Sequence, residues 1–214
     1  MIYPADPLQA EGREAAQKAL AAGLCVAIPT DTVYVLAVDP FVPGASDRLF
    51  SLVERPREQD LPVIVASVWQ ALNLATAVPD ASRRLMDHLW PGPLTLVLPR
   101  DPEVAADLGD DELTIGVRMP DHPVPMALGK EVGPLAVTTA SAQGEPDFET
   151  AQEVAEEFDE DEVPVVLDGG RCAGLPATVV DGTGDDLHLI REGRLPWADI
   201  LAAGGLGGGE RRPM

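Results

Sequence analysis

Pro29-Thr30-Asp31-Thr32-Val33-Tyr34 sets two hydroxyls, a carboxylate and a phenol directly behind the apolar run Leu24-Cys25-Val26-Ala27-Ile28. A buried strand that opens into such groups aims hydrogen-bonding side chains into a cleft, as open α/β sheets do at their strand ends. The arrangement returns twice, in Thr114-Ile115-Gly116-Val117-Arg118-Met119-Pro120 and in Leu135-Ala136-Val137 running into Thr138-Thr139-Ala140-Ser141. Three strand ends offering Thr, Ser and Arg predict a pocket for an anion. Arg118 lies between Val117 and Met119, where a buried guanidinium needs a partner. That partner is a bound anion or an acidic side chain of the protein itself. Arg55, beside Arg57, and Arg191, in a late strand, read as pocket cations or as surface charges, and the residues alone leave both open. His88, His122 and His188 are too scattered for a metal site or a catalytic triad, so no metal ligands are assigned. Gly169-Gly170 is a turn, since no Gly-x-x-x-x-Gly-Lys pattern surrounds it.

The elements that must position these groups follow from period and punctuation. Asp6-Pro7 reads as an N-cap with proline at the first helical position, a helix runs over 8–22, and Gly23 stops it. Strands are predicted at 24–28, 61–66, 94–98, 114–119, 135–140, 163–168, 177–181 and 187–191. Helices are predicted from Ser46, over 68–77 and 80–89, from Pro123, and over 196–203. Thr150-Ala151-Gln152-Glu153 is a capping-box pattern that opens a further helix. The acidic run 156–162 reads as a solvated helix end. Trp90-Pro91-Gly92-Pro93 reads as a rigid turn carrying a packed Trp in front of Thr95. No repeat or linker divides the chain. The expected fold is a single α/β domain over 1–203, with a twisted mixed sheet of about seven or more strands flanked by helices and a flexible Gly-rich tail at 204–214.

Composition narrows the function classes. The 214 residues carry 15 basic and 36 acidic side chains, a formal charge of −21, which opposes binding to a phosphate backbone. Aromatics are only 4% of the chain, so the core must rest on Val, Leu, Ala and Ile. The apolar runs fall short of the roughly 18–20 residues of a membrane span, and residues 1–8 do not resemble a signal peptide. The expectation is a soluble cytoplasmic protein without membrane contact. Two cysteines, Cys25 and Cys172, make neither a disulfide framework nor a zinc site.

Taken in order, PTDTVY (29–34), ERP (54–56), WPGPLTLVL (90–98), GVRMPDHP (116–123), TTASAQGEP (138–146), PATVVD (176–181) and IREG (190–193) resemble the YrdC-like family of threonylcarbamoyl-AMP synthases. The resemblance covers about residues 8–196 and implies the YrdC-like fold. It also implies a reaction, in which L-threonine, bicarbonate and ATP give threonylcarbamoyl-AMP and pyrophosphate, with Mg²⁺ as cofactor, for modification of adenosine-37 of tRNA. Other proteins of that pathway are the implied partners. By motif, Thr32, Arg118, Thr138 and Ala177 fall on the threonine side. Arg55, Gln59, Thr114, the backbone at Ala140, and Arg191 fall on the ATP side. Thr30, Tyr34, Thr95, Ser141 and Thr178 are expected to line the pocket. No side chain is assigned a covalent role, because such catalysis consists of positioning and electrostatic stabilisation.

The chain also departs from the family pattern. Val53-Glu54-Arg55 stands for Lys-x-Arg, and Tyr34-Val35-Leu36 for Tyr-Gly-Leu. Residues 138–144 lack the usual Asn, at Ser141, and a Ser, at Gln143, while Ala177 replaces another Ser. Each lost cation or donor in such a site costs about 3–4 kcal/mol of barrier. These departures carry an alternative expectation, a catalytically eroded paralogue that binds a nucleotide or small acid as a regulatory protein. A further alternative is a double-stranded-RNA binding protein, which the net charge disfavours.

Overall fold

In the computed structural model, which describes residues 1–4, 10–141 and 146–205, the eight expected strands form and two more join them. The elements run β1 (Ile2–Pro4), α1 (Ala10–Ala21), β2 (Val26–Ile28), β3 (Val35–Val38), α2 (Ala45–Leu52), β4 (Val63–Ile64), α3 (Val68–Leu72), α4 (Asp80–Leu89) and β5 (Leu94–Pro99). They continue with β6 (Thr114–Arg118), α5 (Pro123–Val132), β7 (Leu135–Thr139), α6 (Ala151–Glu157), β8 (Val165–Asp168), β9 (Thr178–Asp181), β10 (His188–Arg191) and α7 (Trp197–Ala203). The N-cap expected at Asp6, the helix start at Leu8, positions 142–145 and the tail from 206 lie outside the described residues. Among the described residues, no helix is long and apolar enough to cross a membrane.

All ten strands form one mixed sheet in the order β1-β8-β2-β3-β7-β4-β6-β5-β9-β10. β3, absent from the sequence expectation, is a four-residue, fully buried run that pairs antiparallel with β2 across the 29–34 turn. β1 ends in Pro4 and lies at the sheet edge, where a missing N–H breaks no ladder. The expected 68–77 helix is shorter, ending at Leu72, and Ala75 bridges to Arg100 instead.

Caps close the helices where the residue types demand. After α1, Gly23 takes φ +71° and its N–H reaches Leu20 O, while Leu24 N–H reaches Ala19 O, both at 2.9 Å. That is a Schellman closure, and glycine supplies the left-handed residue it needs. Thr150 and Glu153 close the capping box on α6. His122 caps α5 through Nδ1, which accepts from Val124 N–H, with Pro123 following at the first position. Burial holds the His122 pKa below its ordinary value despite Asp31 and Asp121 nearby.

Period-two alternation gives the sheet two different faces. One face presents Ala27, Leu36, Val38, Val63, Leu94, Leu96, Leu98, Ile115 and Val117 to a core shared with α2, α4, α6 and α7. Leu85 and Met86 of α4 are at most 1% exposed there, and burying such side chains contributes about 1.5–3 kcal/mol each. The other face is covered only in part. Ala16, Ala19 and Leu20 of α1 and Val124 and Leu128 of α5 pack on Val26, Ile28, Val35, Ala37, Val137, Val165 and Leu167. That cluster takes no residue of β6, β5, β9 or β10, so the covered half gives way to an open groove.

Cys25 lies in the first core at 0% exposure, and burial pushes its thiol up to about 12. Cys172 is half-buried, and its pKa is also raised by burial. A thiol reacts as thiolate. A disulfide reagent at pH 8 is therefore expected to leave Cys25 untouched in the folded protein and to modify Cys172 slowly. Both should react at once in denaturant, and rapid native reaction of two thiols would contradict the packing.

Candidate active site

The groove floor follows from strand register. Opposed residues share a face, so Val97 with Gly116 and Thr95 with Val179 point into it, and Ile64 aligns with Arg118. A cavity of about 300 Å³ lies over Thr95, Val97, Thr114, Gly116 and Val179, with Arg55, Asp60 and Arg191 around it. A narrower cavity of about 70 Å³ continues past Val33, Val35, Ile64, Val137, Pro176 and Ala177 to Thr32 and Arg118. Pro62, Thr95, Thr138, Thr139 and Arg191 line both. Gly116 keeps the floor low, since a Cβ there would sit 3.4 Å from Pro62 Cβ and 3.6 Å from Thr95 Cγ2.

At the narrow end Arg118 finds its acidic partner within the protein. Nη2 donates to Asp31 Oδ1 at 2.5 Å, Nη1 to Thr32 Oγ1 at 2.9 Å, and Nε to Gly92 O at 3.2 Å. Both side chains of the ion pair are about nine-tenths buried. Burial lowers the Arg118 pKa, Asp31 opposes that, and Arg194 and Arg191 add repulsion. Two of its five N–H groups remain for a ligand. Thr30 Oγ1 donates to Val33 O, so in its 2.8 Å contact with Thr32 the Thr32 hydroxyl is the donor. Thr32 can therefore only accept from a ligand. The residues left a bound anion and an internal carboxylate open as partners of Arg118; the internal pair forms, and two donors remain.

At the wide end Arg55 is held by its own loop. Nε donates to Gln59 O at 2.6 Å, Nη2 to Asp60 O at 2.9 Å, and Nη1 reaches Thr138 Oγ1 at 3.4 Å. Burial lowers its pKa, Asp60 raises it, and Arg191 lowers it again. Among the described residues no carboxylate forms an ion pair with Arg55, whereas Arg57 faces away to Asp47, Asp107 and Asp110. Arg191 holds Ala177 O at 3.1 Å and is otherwise exposed. Thr114 donates to Asp111 Oδ2 at 2.5 Å. An oriented, unpaired guanidinium beside a second arginine is a phosphate-binding arrangement. Asp60 is the carboxylate on this wall, its pKa raised by burial and by Asp110 and Asp111. Among the described residues no group of three or more His, Cys, Asp or Glu is placed to hold a metal ion.

Eight of the expected residues meet in the groove: Thr32, Arg118, Thr138, Ala177, Arg55, Thr114, Arg191 and Thr95. Others are placed elsewhere, for physical reasons. Tyr34 shares the core-facing parity of Leu36, and its hydroxyl bridges Gly169 N–H and Gly170 O beyond the core. Burial raises its pKa. Thr178 lies opposite Leu94 on the core face, where its hydroxyl secures Leu195 O, Gly193 N–H and Leu195 N–H. Thr30 closes the 30–33 turn. Ser141 bonds Asp147, and Ala140 is buried with its N–H on Tyr34 O. The Gln59 side chain is exposed while its carbonyl holds Arg55. Asp60, Pro62, Val97, Gly116 and Val179 were not anticipated as site residues, and only strand register or loop closure reveals them, while Asp31 and Thr139 stand in the strand-end motifs without an assigned ligand role.

The departure at Val53 has a structural consequence, and so does the residue after it. Val53 is 5% exposed in the helix-side core, so its apolar side chain is packed rather than turned into the groove. Glu54 takes φ +51°, a left-handed conformation costing a non-glycine residue about 1–2 kcal/mol. Glu54→Gly relieves that strain and adds about 0.5–1 kcal/mol of chain entropy to be lost. The substitution is expected to stabilise the fold by about 0.5–1 kcal/mol, read as a higher urea midpoint. A lower midpoint would mean the loop is not strained.

Comparison with known proteins places this groove in a family. The Sua5/YciO/YrdC profile, described as telomere recombination, matches residues 18–193. The chain is 39% identical over 193 residues to a Mycobacterium tuberculosis protein provisionally named a threonylcarbamoyl-AMP synthase, covering 88% of each. It is 36% identical over 180 residues to the Pyrococcus abyssi threonylcarbamoyl-AMP synthase, covering 83% of this chain but 53% of that one. The structure of P. abyssi Sua5 complexed with L-threonine superposes with a TM-score of 0.85 at 31% identity, over 95% of this chain and 60% of that chain. With the profile spanning most of its length, and relatives of more than 30% identity sharing the sheet that carries the groove, the chain belongs to the Sua5/YciO/YrdC family.

Proposed function

We propose that the protein is an L-threonylcarbamoyladenylate synthase, a nucleotidyltransferase that makes threonylcarbamoyl-AMP and pyrophosphate from L-threonine, bicarbonate and ATP in the cytoplasm, for tRNA adenosine-37 modification. The observation that carries the reading is one continuous groove with a small Arg118/Thr32 end and a large Arg55/Arg191 end, meeting at Thr95, Thr138 and Thr139. A two-substrate adenylation needs that adjacency, because holding both reactants in line supplies much of the rate. The amine of threonine takes up bicarbonate carbon with loss of water to give a carbamate. A carbamate oxygen then bonds to the α-phosphorus while the bond to the leaving pyrophosphate breaks. In this reading the free N–H groups of Arg118 pair the threonine carboxylate, and Thr32 accepts from its amine or hydroxyl. Arg55 and Arg191 hold the triphosphate. Asp60, the carboxylate on the phosphate wall, whose Oδ1 accepts from Asp111 N–H, would hold Mg²⁺ together with the substrate phosphates, the kind of donor set that ion takes. When bound it would neutralise phosphate charge.

Pyrophosphate release from ATP, Mg²⁺ and bicarbonate is expected to depend on L-threonine. Release that ignores threonine would reject the reading. A second reading, a ligand-binding paralogue without turnover, is favoured by Val53 in the core and by the methyl of Ala177 on the narrow cavity. It predicts ATP or threonine binding by calorimetry with no release. Double-stranded RNA is a poorer fit, because Asp31 and Asp60 flank the groove arginines and the whole chain carries −21.

A further inference from the structure

Five residues line both cavities, and they mark the place where ligands at the two ends would touch. Pro62 has no donor. Arg191 spends one N–H on Ala177 O and is already assigned to the triphosphate, and Thr138 lies opposite Leu36 with its hydroxyl under Arg55. Thr95 and Thr139 remain, on the groove face, and neither hydroxyl has a hydrogen-bond partner among the described residues. Thr95 is the more enclosed, at 8% exposure. Its Cγ2 is the atom that faces Gly116, which leaves Oγ1 on another side of the rotamer. The Oγ1 itself is not among the buried polar atoms left without a partner, so it opens onto the groove and is available to a ligand without breaking any protein contact. It also stands on β5, held by β6 on one side and β9 on the other, which fixes it as a loop would not.

We propose that Thr95 is a catalytic residue of the adenylation step, an inference that rests on the synthase reading above. Its Oγ1–H donates to a non-bridging oxygen of the α-phosphoryl group. There it stabilises charge as the carbamate oxygen bonds to phosphorus and pyrophosphate leaves with the electron pair of the broken P–O bond. The threonine side chain of the enzyme neither gains nor loses a proton.

The test compares Thr95→Val with Thr95→Ser. Valine keeps the shape and suits a strand, so folding is expected to survive, with circular dichroism as the check. Thr95→Val should lower kcat about 10²-fold with KM for ATP and for threonine within about threefold, and Thr95→Ser should stay within about fivefold of the parent. A kcat for Thr95→Val within about threefold of the parent, or equal losses in both variants, would overturn the proposal. A binding arm separates this from failure of the synthase reading. Threonine joined to adenosine through a sulfamoyl group spans both cavities without reacting. Even if the parent makes no product, Thr95→Val should weaken this adduct about tenfold or more while ATP alone and threonine alone bind as before. Unchanged adduct affinity would overturn the role of Thr95, and a parent that binds none of the three would overturn both.

Discussion

Asp31→Ala is expected to destabilise the fold by about 3–5 kcal/mol, because it strands the Arg118 guanidinium in a site where both partners are nine-tenths buried. Asp31 Oδ1 also accepts from Asp121 N–H at 3.2 Å, so that turn loses its anchor together with Arg118, while the Arg194 bond to the Asp31 main-chain carbonyl survives the change. The pair itself is not a large net gain. Asp31 Oδ2 is buried without a partner, a cost that offsets part of the attraction. The double variant Asp31→Leu with Arg118→Met should therefore cost much less than either single change, since no uncompensated charge remains. Urea unfolding of the three variants measures this. A single-variant loss under about 1 kcal/mol would show that solvent screens the pair after all. Relieved of its internal partner, Arg118 in Asp31→Ala should also bind a small carboxylate more tightly by calorimetry, provided the variant folds.

Arg55→Ala is expected to lower turnover about 10²–10³-fold, the cost of removing one preorganised donor from a charged transition state. The guanidinium is pinned by two backbone carbonyls, so little ordering remains when a phosphate arrives. Arg55→Lys should recover only part of the loss, because an ammonium keeps the charge but cannot hold Gln59 O and Asp60 O while also forking onto a phosphate. ATP affinity should fall in parallel, and that holds for the ligand-binding reading as well. Arg57→Ala is the control: its partners are surface carboxylates, and turnover should change little. An Arg55→Ala enzyme within about threefold of the parent would remove Arg55 from the phosphate site.

The strand ends and their polar motifs were legible in the chain because chemistry there is local. Thr32, Arg118 and Thr138 follow apolar runs directly, and all three reach the groove. Parity was harder to see. Tyr34 and Thr178 belong to the same motifs yet face the core, each one residue out of phase with the groove face. Thr138 shares that parity opposite Leu36 and meets the groove where Arg55 lies over it. The floor residues Val97, Gly116 and Val179 carry no chemical signal of their own; three different strands bring them together by register. β3 went unseen because the turn 29–34 read as a strand terminus, whereas the chain reverses and pairs back on β2. Asp60 reaches the wall only through the loop that Arg55 closes on itself, a contact no spacing rule announces. Val53, read as a missing cation, is a core residue here, so what differs from the family pattern is packing as well as charge.

The most direct measurement is mass spectrometry of the product formed from ¹³C-bicarbonate, L-threonine, ATP and Mg²⁺. The synthase reading predicts an adenylate carrying threonine and one labelled carbon, in amounts equal to the pyrophosphate released. Pyrophosphate without the labelled adenylate, or neither product while ATP and threonine still bind, would contradict it and leave a groove that holds both ligands without joining them.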